Sequence, residues 1–139
     1  MIITYIILHQ IYYVMKKHYK QLNKTVNIIV NKIIPFGSYT TINIFGALFT
    51  KIPKGILQTK TISHELIHTA QMKEMGFIFF YLWYGIEYLI IRLFHKKQGD
   101  AYKDVSFEEE AYINAKDFNY LNTRKHYSWL KYIKVKSNG

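Results

Sequence analysis

Residues 61–72, TISHELIHTAQM, place two histidines four positions apart with a glutamate directly after the first. On an α-helix, residues i and i+4 project from one face with their Cβ atoms about 6 Å apart, so His64 and His68 can bind one ion. Glu65 lies beside the first histidine and is placed to take a proton from a water on that ion rather than to bind the ion itself. The HExxH pattern therefore predicts a helix that carries half of a zinc site.

The residues around this motif predict where the helix begins and ends. Apolar residues recur at intervals of three and four from Thr61 onward, which predicts a helix of about 14 residues. Thr61 or Ser63 is expected to cap its start, and Gly76 is expected to end it.

The segment before this helix is rich in β-branched and aromatic residues and is interrupted by glycine and proline. Short runs of this kind predict strands, here at residues 26–34, 38–44 and 46–51, with at least two of them forming an antiparallel pair. The predicted fold class is therefore α+β, with a small antiparallel sheet or hairpin before the HExxH helix.

The segment after the motif, residues 76–94, is nearly all apolar or aromatic and is interrupted only by Glu87 and Arg92. It predicts a helix that is buried or touches a membrane rather than one that spans it. If this helix lies in a soluble core, we expect Glu87 to pair with a nearby basic residue, such as a lysine or an arginine. The carboxylate would otherwise be a marker of function inside a membrane.

A further helix is predicted at residues 105–125, with Ser106 as a cap and an inward stripe that begins at Phe107. Its first turn contains the acidic run Glu108, Glu109 and Glu110. Successive helical residues are about 100° apart, so at most one of these carboxylates can face an ion held by the histidines. Glu109 points away from the inward stripe, whereas Glu108 and Glu110 flank it on opposite sides. Periodicity does not choose between those two.

The composition limits the classes of site that the chain can build. Its 139 residues suit one domain: an apolar helix and basic segment at 1–24, a core at 26–122 and a basic aromatic tail at 123–139. The absence of cysteine excludes disulfides, thiolate zinc sites and cysteine nucleophiles. A net charge of +10 suits an anionic membrane surface or nucleic acid, or reflects lineage bias alone. No nucleic-acid motif is evident, so the tail is predicted to be a solvated or interfacial helix, with a membrane surface as a candidate partner and nucleic acid disfavoured.

HELIH followed by FEEEAY resembles the gluzincin clan of zinc metallopeptidases. The CAAX prenyl protease family and peptidase-like domains with HExxHxxQ are similar in pattern. Residues 35–132 are also similar to a group of small bacterial proteins common in Bacteroidetes. The resemblance implies a minimal zincin-like domain that hydrolyses a peptide or protein substrate with Zn²⁺. It also implies a bacterial protein of the cytoplasm or the inner-membrane surface, and no cleavable signal peptide is evident.

The resemblance also implies particular site residues. His64 and His68 match the paired metal ligands, Glu65 the general base and Glu108 the third ligand. The position where the family often has an aspartate is Tyr112 here. The task of that aspartate, to hold a ligand histidine, would then pass to another residue, the candidates being Asn114, Gln71 and Asp117. If Asn114 takes this task, the family motif aligns two residues later in this sequence, and Glu110 becomes the third ligand in place of Glu108.

Other parts of a peptidase site have candidates in the sequence. Donors for an oxyanion are Tyr112, Tyr39 and His126. By analogy with related folds, the stretch 38–50 is placed to hold an extended substrate by backbone pairing.

Two other functions remain open at the level of sequence. One is a non-catalytic zinc-stabilised domain, in which His95 or His126 closes the fourth position. The other is a basic module that binds a membrane surface or nucleic acid through residues 124–136 and uses no metal.

Overall fold

The computed structural model describes residues 26–53, 55–94 and 101–133, which form an α+β fold. The strands are β1 (Asn27–Val30), β2 (Thr41–Ile44) and β3 (Ala47–Thr50). The helices are α1 (Thr59–Met75), α2 (Phe77–Phe94), α3 (Ser106–Asn114) and the short α4 (Tyr120–Thr123), with 3₁₀ turns at Ala101–Asp104 and Ser128–Tyr132. The apolar segment predicted at residues 1–24 lies outside the described residues.

The sheet has the strand order β1-β3-β2 and is mixed. β2 pairs antiparallel with β3, which confirms the expected hairpin, but β1 pairs parallel with β3. The prediction of an antiparallel sheet is wrong for β1, because the connection at 31–40 carries the chain across the sheet before β2 begins. β3 then returns to the centre, and β2 is left at an edge.

The hairpin turn brings β2 against α1. Phe45 and Gly46 have φ angles of 49° and 84°, as a two-residue turn of type I′ requires. Asn43 accepts a hydrogen bond from the backbone N–H of Gly46 at 2.9 Å. The Asn43 side-chain amide also donates to the backbone oxygen of Glu65 at 2.6 Å. One side chain thus fixes both the turn and the distance from the sheet to the HExxH helix.

Helix α1 lies between two hydrophobic clusters. Ile62 packs with Leu48 and Leu57 against the sheet, whereas Met72 packs with Phe107 in a second cluster among the helices. The helix begins at Thr59 rather than near Thr61 or Ser63, and the residue before it makes no side-chain cap. Burial of Leu57 fixes the chain direction one turn earlier than the capping residues suggest. Gly76, with φ of 71°, ends the helix as predicted.

Helix α2 follows after that single glycine, and only Phe80 and Ile91 along it are buried. Its length and composition would allow it to cross a membrane. Glu87 accepts hydrogen bonds from the backbone N–H of Ser106 at 2.9 Å and from its hydroxyl at 2.8 Å. The expected partner of Glu87, a lysine or arginine, is therefore replaced by the start of α3. Ser106 is the first residue of that helix, and the carboxylate of Glu87 satisfies its N-terminus.

The single helix predicted at 105–125 is wrong, because α3 ends at Asn114. The Asn114 side chain donates to the backbone oxygen of Glu110 at 2.8 Å, and Asp117 accepts from the backbone N–H of Asn119 at 2.9 Å. Asparagine and aspartate favour turns through such local bonds. The chain then returns over α3, where Trp129 is buried in the helical cluster.

Candidate metal centre

Three of the predicted site residues meet between α1 and α3. Nε2 of His64 lies 3.3 Å from Oε2 of Glu108, and Nε2 of His68 lies 3.3 Å from Oε1 of the same carboxylate. The two Nε2 atoms are 3.1 Å apart. The histidines are one turn apart on α1, and Glu108 lies in the first turn of α3, which packs on α1.

These separations lie at or slightly below those between the ligands of a tetrahedral zinc ion. Bonds of about 2.0–2.2 Å at tetrahedral angles place two ligand atoms roughly 3.3–3.5 Å apart. A carboxylate oxygen only accepts hydrogen bonds, and a neutral imidazole presents a lone pair on its unprotonated nitrogen. Lone pairs that converge so closely are stabilised by a cation, either a proton or a metal. Two imidazoles and one carboxylate form a donor set that zinc takes in catalytic sites.

Gln71 orients one of the two imidazoles. Nδ1 of His68 lies 2.8 Å from Oε1 of Gln71. The amide nitrogen of Gln71 donates to the backbone oxygen of Phe107 at 3.1 Å and to Oε2 of Glu110 at 2.9 Å. Because both of those partners are acceptors, the amide must present its oxygen to His68, which therefore carries its proton on Nδ1. In the neutral imidazole the lone pair is then on Nε2, the nitrogen that faces Glu108 and that would bind a metal.

Glu110, the alternative third ligand, has other partners. Its side chain is fully buried and accepts hydrogen bonds from Arg124 Nε at 2.6 Å and from the Tyr120 hydroxyl at 2.7 Å. Arg124 also forms an ion pair with Glu74 near the end of α1. The structure thus brings Glu108 to the histidines, and it brings Glu110 to an arginine whose charge it neutralises.

The charges of Glu108 and His68 support one another. Burial opposes the charge on Glu108, but His68 and the hydrogen bonds from both histidines hold the pKa of this carboxyl well below its usual range. Burial likewise disfavours a charged His68, but Glu108 raises the pKa of His68 to about 9. The negative charge that attracts a proton to this position also attracts a divalent cation.

Glu65 lies at the same place and is buried. Burial raises the pKa of its carboxyl above the ordinary value, against the opposing charges of His68 and His64. A carboxylate of raised pKa is a stronger base at neutral pH. The side chain lines a cavity together with both histidines and Glu108, as the HExxH pattern predicted.

Tyr84 contacts the cluster from α2, and sequence reasoning missed it. Its hydroxyl donates to Oε1 of Glu108 at 3.1 Å, and its ring stacks parallel to that of Phe107 at 6.3 Å. One tyrosine among the many aromatic residues of 76–94 carries no distinguishing mark in the sequence. Its role follows only from the packing of α2 on α3.

The remaining predicted residues divide into three groups. Tyr39 and Tyr112 line the cavity, and the Tyr112 ring lies 4.6 Å from that of His64. His126 does not line it: its side chain is 87% exposed and faces Glu74. His95 lies outside the described residues.

Of the candidates for holding a ligand histidine, Gln71 alone bonds to one. Asn114 bonds to the backbone of Glu110 and to Tyr132. Asp117 caps its own turn.

The cavity has a volume of about 350 Å³. Its acidic floor consists of Glu65 and Glu108, and most of its walls are aromatic or apolar. The other lining residues are Tyr39, Thr41, Ile42, Asn43, Met72, Phe80, Tyr81, Tyr84, Tyr102 and Tyr112, besides the two histidines. Because Thr41, Ile42 and Asn43 belong to the edge strand β2, an extended chain beside them would also lie next to the histidines.

No protein family model, curated protein or solved structure gives a significant match to this chain.

Proposed function

We propose that this protein is a zinc-dependent peptidase in which His64, His68 and Glu108 bind the metal and Glu65 is the general base. The observation that carries the proposal is the convergence of the two imidazole Nε2 atoms and the two oxygens of the Glu108 carboxylate, with separations of 3.1–3.3 Å, in a cavity that Glu65 also lines. Bound zinc would polarise the scissile carbonyl and acidify a water molecule.

The chain's own residues supply the rest of the mechanism. Glu65 accepts the proton of the attacking water and returns it to the leaving amine. Tyr39 and Tyr112 line the cavity, and their hydroxyls are candidates to donate to the oxygen that becomes negative. Gln71 and Tyr84 hold His68 and Glu108 in position.

The shape of the cavity suggests how a peptide would bind. β2 lies at the sheet edge, so an extended peptide would add to it by backbone pairing. The aromatic walls favour an apolar side chain beside the cleaved bond. We therefore propose substrates with an apolar or aromatic residue at that position.

The test combines metal analysis with peptide hydrolysis. Purified protein should contain close to one zinc per chain and should cleave members of a fluorogenic peptide library. Glu65→Gln should keep the zinc and abolish cleavage, while Glu109→Gln, a neighbour of Glu108 that lies outside the cavity lining, should keep both.

Three outcomes would overturn the proposal or part of it. A stable protein that binds no zinc would overturn the metal site. Unchanged cleavage by Glu65→Gln would overturn the assigned base. Zinc bound without cleavage of any library peptide would overturn the catalytic role, and the zinc would then be a structural ion that links α1 to α3.

A further inference from the structure

The outward face of α2 is apolar along its whole length. Six apolar residues on this face are exposed by 47–76% and recur at intervals of about one helical turn; they are Ile78, Leu82, Ile86, Leu89, Ile90 and Leu93. We call these residues the outer α2 stripe. An α-helix of this length extends about 27 Å, so the stripe is a long apolar surface. Monomeric soluble proteins rarely expose such a patch unless something binds it.

The opposite face of α2 is held by the protein. Phe80 and Ile91, eleven residues apart, are buried in the helical cluster, and Glu87 between them binds the start of α3. If α2 crossed a membrane, the buried charges of Glu110 in α3 and of Arg124 after α4 would approach the hydrocarbon at great cost. Lying parallel to a membrane surface, α2 places the stripe in the apolar layer and leaves those charges outside it.

The net charge of the chain indicates which kind of surface binds the outer α2 stripe. The chain carries a net charge of +10, so a second copy would be repelled, whereas a bilayer with anionic headgroups would attract it. Arg92 is exposed on the last turn of α2, and Lys96 and Lys97 follow it in the sequence. Trp83 beside the stripe is 42% exposed, as is typical of tryptophan at a membrane interface.

We propose that the outer α2 stripe binds the surface of an anionic lipid bilayer, with α2 lying in the plane of the membrane. Tyr81 and Tyr84 on the same helix line the cavity. The site would therefore lie within about one helix diameter, roughly 10 Å, of the lipid. This surface does not depend on the metal, and we expect binding with and without zinc.

The test uses the full chain and vesicles of defined composition. Binding should be strong to vesicles that contain about one-third phosphatidylglycerol in phosphatidylcholine, and weak to phosphatidylcholine alone. The chain has two tryptophans, of which Trp129 is only 4% exposed. Brominated phosphatidylcholine in the anionic vesicles should therefore quench Trp83, and a Trp129→Phe protein should show the same quenching.

Matched variants distinguish membrane binding by the outer α2 stripe from membrane binding by exposed apolar residues elsewhere. Leu82→Gln with Leu89→Gln removes two stripe residues that are 57% and 59% exposed and should weaken binding by roughly tenfold or more. The control, Ile56→Gln with Ile113→Gln, changes residues that are 73% and 60% exposed outside α2 and should bind as the parent does. Thermal unfolding and zinc content of both proteins exclude misfolding as the cause.

Several results would overturn the proposal. An unquenched Trp83, or equal binding by the stripe and control variants, would show that α2 does not face the lipid. In that case another occupant covers the stripe: dimers that dissociate in the stripe variant would identify a second copy. Monomers with a shielded Trp83 would identify another part of the chain, such as the apolar residues 1–15.

Discussion

Gln71 connects His68 to Glu110 through the two ends of one amide. Its oxygen lies 2.8 Å from Nδ1 of His68, and its nitrogen donates to Glu110 at 2.9 Å. Since Glu110 in turn binds Arg124, the amide that orients the imidazole is itself held by a buried ion pair. Such outer partners of metal ligands affect metal affinity strongly.

Gln71→Leu should weaken zinc binding by roughly 10- to 100-fold, because His68 loses the acceptor that fixes its tautomer. Gln71→Glu offers an oxygen to His68 but places a second carboxylate beside Glu110, so it should restore zinc affinity at the expense of stability. Competition with a chromophoric chelator gives the affinity, and urea unfolding gives the stability. Equal zinc affinity in Gln71→Leu and the parent would show that the amide does not position His68.

Glu108→Gln and Glu110→Gln should fail in different ways. The first should lose zinc and remain folded, because it removes a negative charge from between two histidines. The second should keep the zinc site, because an amide oxygen at position 110 can still accept from Gln71. It should lower the free energy of unfolding by about 3 kcal/mol, since it takes one carboxylate from a buried arginine. Zinc content and urea unfolding of both proteins measure this difference. Zinc loss in Glu110→Gln alone would reverse the assignment of the third ligand.

Tyr84→Phe should lower zinc affinity by roughly tenfold, because Glu108 loses the hydroxyl that orients it. The phenyl ring should keep its stacking on Phe107, so we expect stability to change little. Tyr88→Phe, one turn further along α2, is the matched control and should leave zinc affinity unchanged. An equal effect of the two substitutions would assign the loss to packing instead of to the hydrogen bond.

Glu87→Ala should lower the free energy of unfolding by roughly 1–2 kcal/mol, because the first turn of α3 loses the carboxylate that caps it. Arg92→Ala changes an exposed charge on the same helix and should alter stability by no more than about 0.5 kcal/mol. Chemical unfolding of the two variants compares them directly. A Glu87→Ala protein as stable as the Arg92→Ala protein would mean that the cap contributes nothing.

Removal of zinc should destabilise the protein without unfolding it, because the hydrophobic clusters on either side of α1 contain none of the ligands. Zinc at a free concentration of about 100 times its Kd adds roughly 2.7 kcal/mol of stability. For a domain of this size, that gain corresponds to roughly 10 °C in Tm. Scanning calorimetry with and without a chelator measures the shift, and Glu108→Gln should show none.

The sequence predicted the parts of the site that depend on short spacing. Four residues separate His64 from His68, and one helix therefore suffices to bring them together. The choice of Glu108 over Glu110 needed the resemblance to known peptidases, because the helical period treats the two alike. Glu110 binds Arg124, which lies 14 residues later in the sequence. Nothing in the sequence around Arg124 indicated that role.

The errors in the predicted fold have a similar cause. The alternation of residues in β1 is the same whether a strand pairs parallel or antiparallel, so only the path of the chain decides it. The early end of α3 follows from side-chain hydrogen bonds of Asn114 and Asp117, which compete with the continuing apolar pattern. Glu87 was predicted to form an ion pair, but its carboxylate accepts hydrogen bonds from Ser106 at the start of α3. Only the packing of α2 against α3 shows that Ser106 is its partner.

Gly76 alone separates α1 from α2, which leaves the angle between the two helices to the backbone of one residue with φ of 71°. Only glycine adopts this conformation without strain. Gly76 is therefore the joint between the metal-binding helix and the apolar helix. His68 lies about two helical turns before Gly76, and the outer α2 stripe begins two residues after it. A change in the angle between these helices would move Tyr84, whose hydroxyl donates to Glu108, relative to the two histidines of α1.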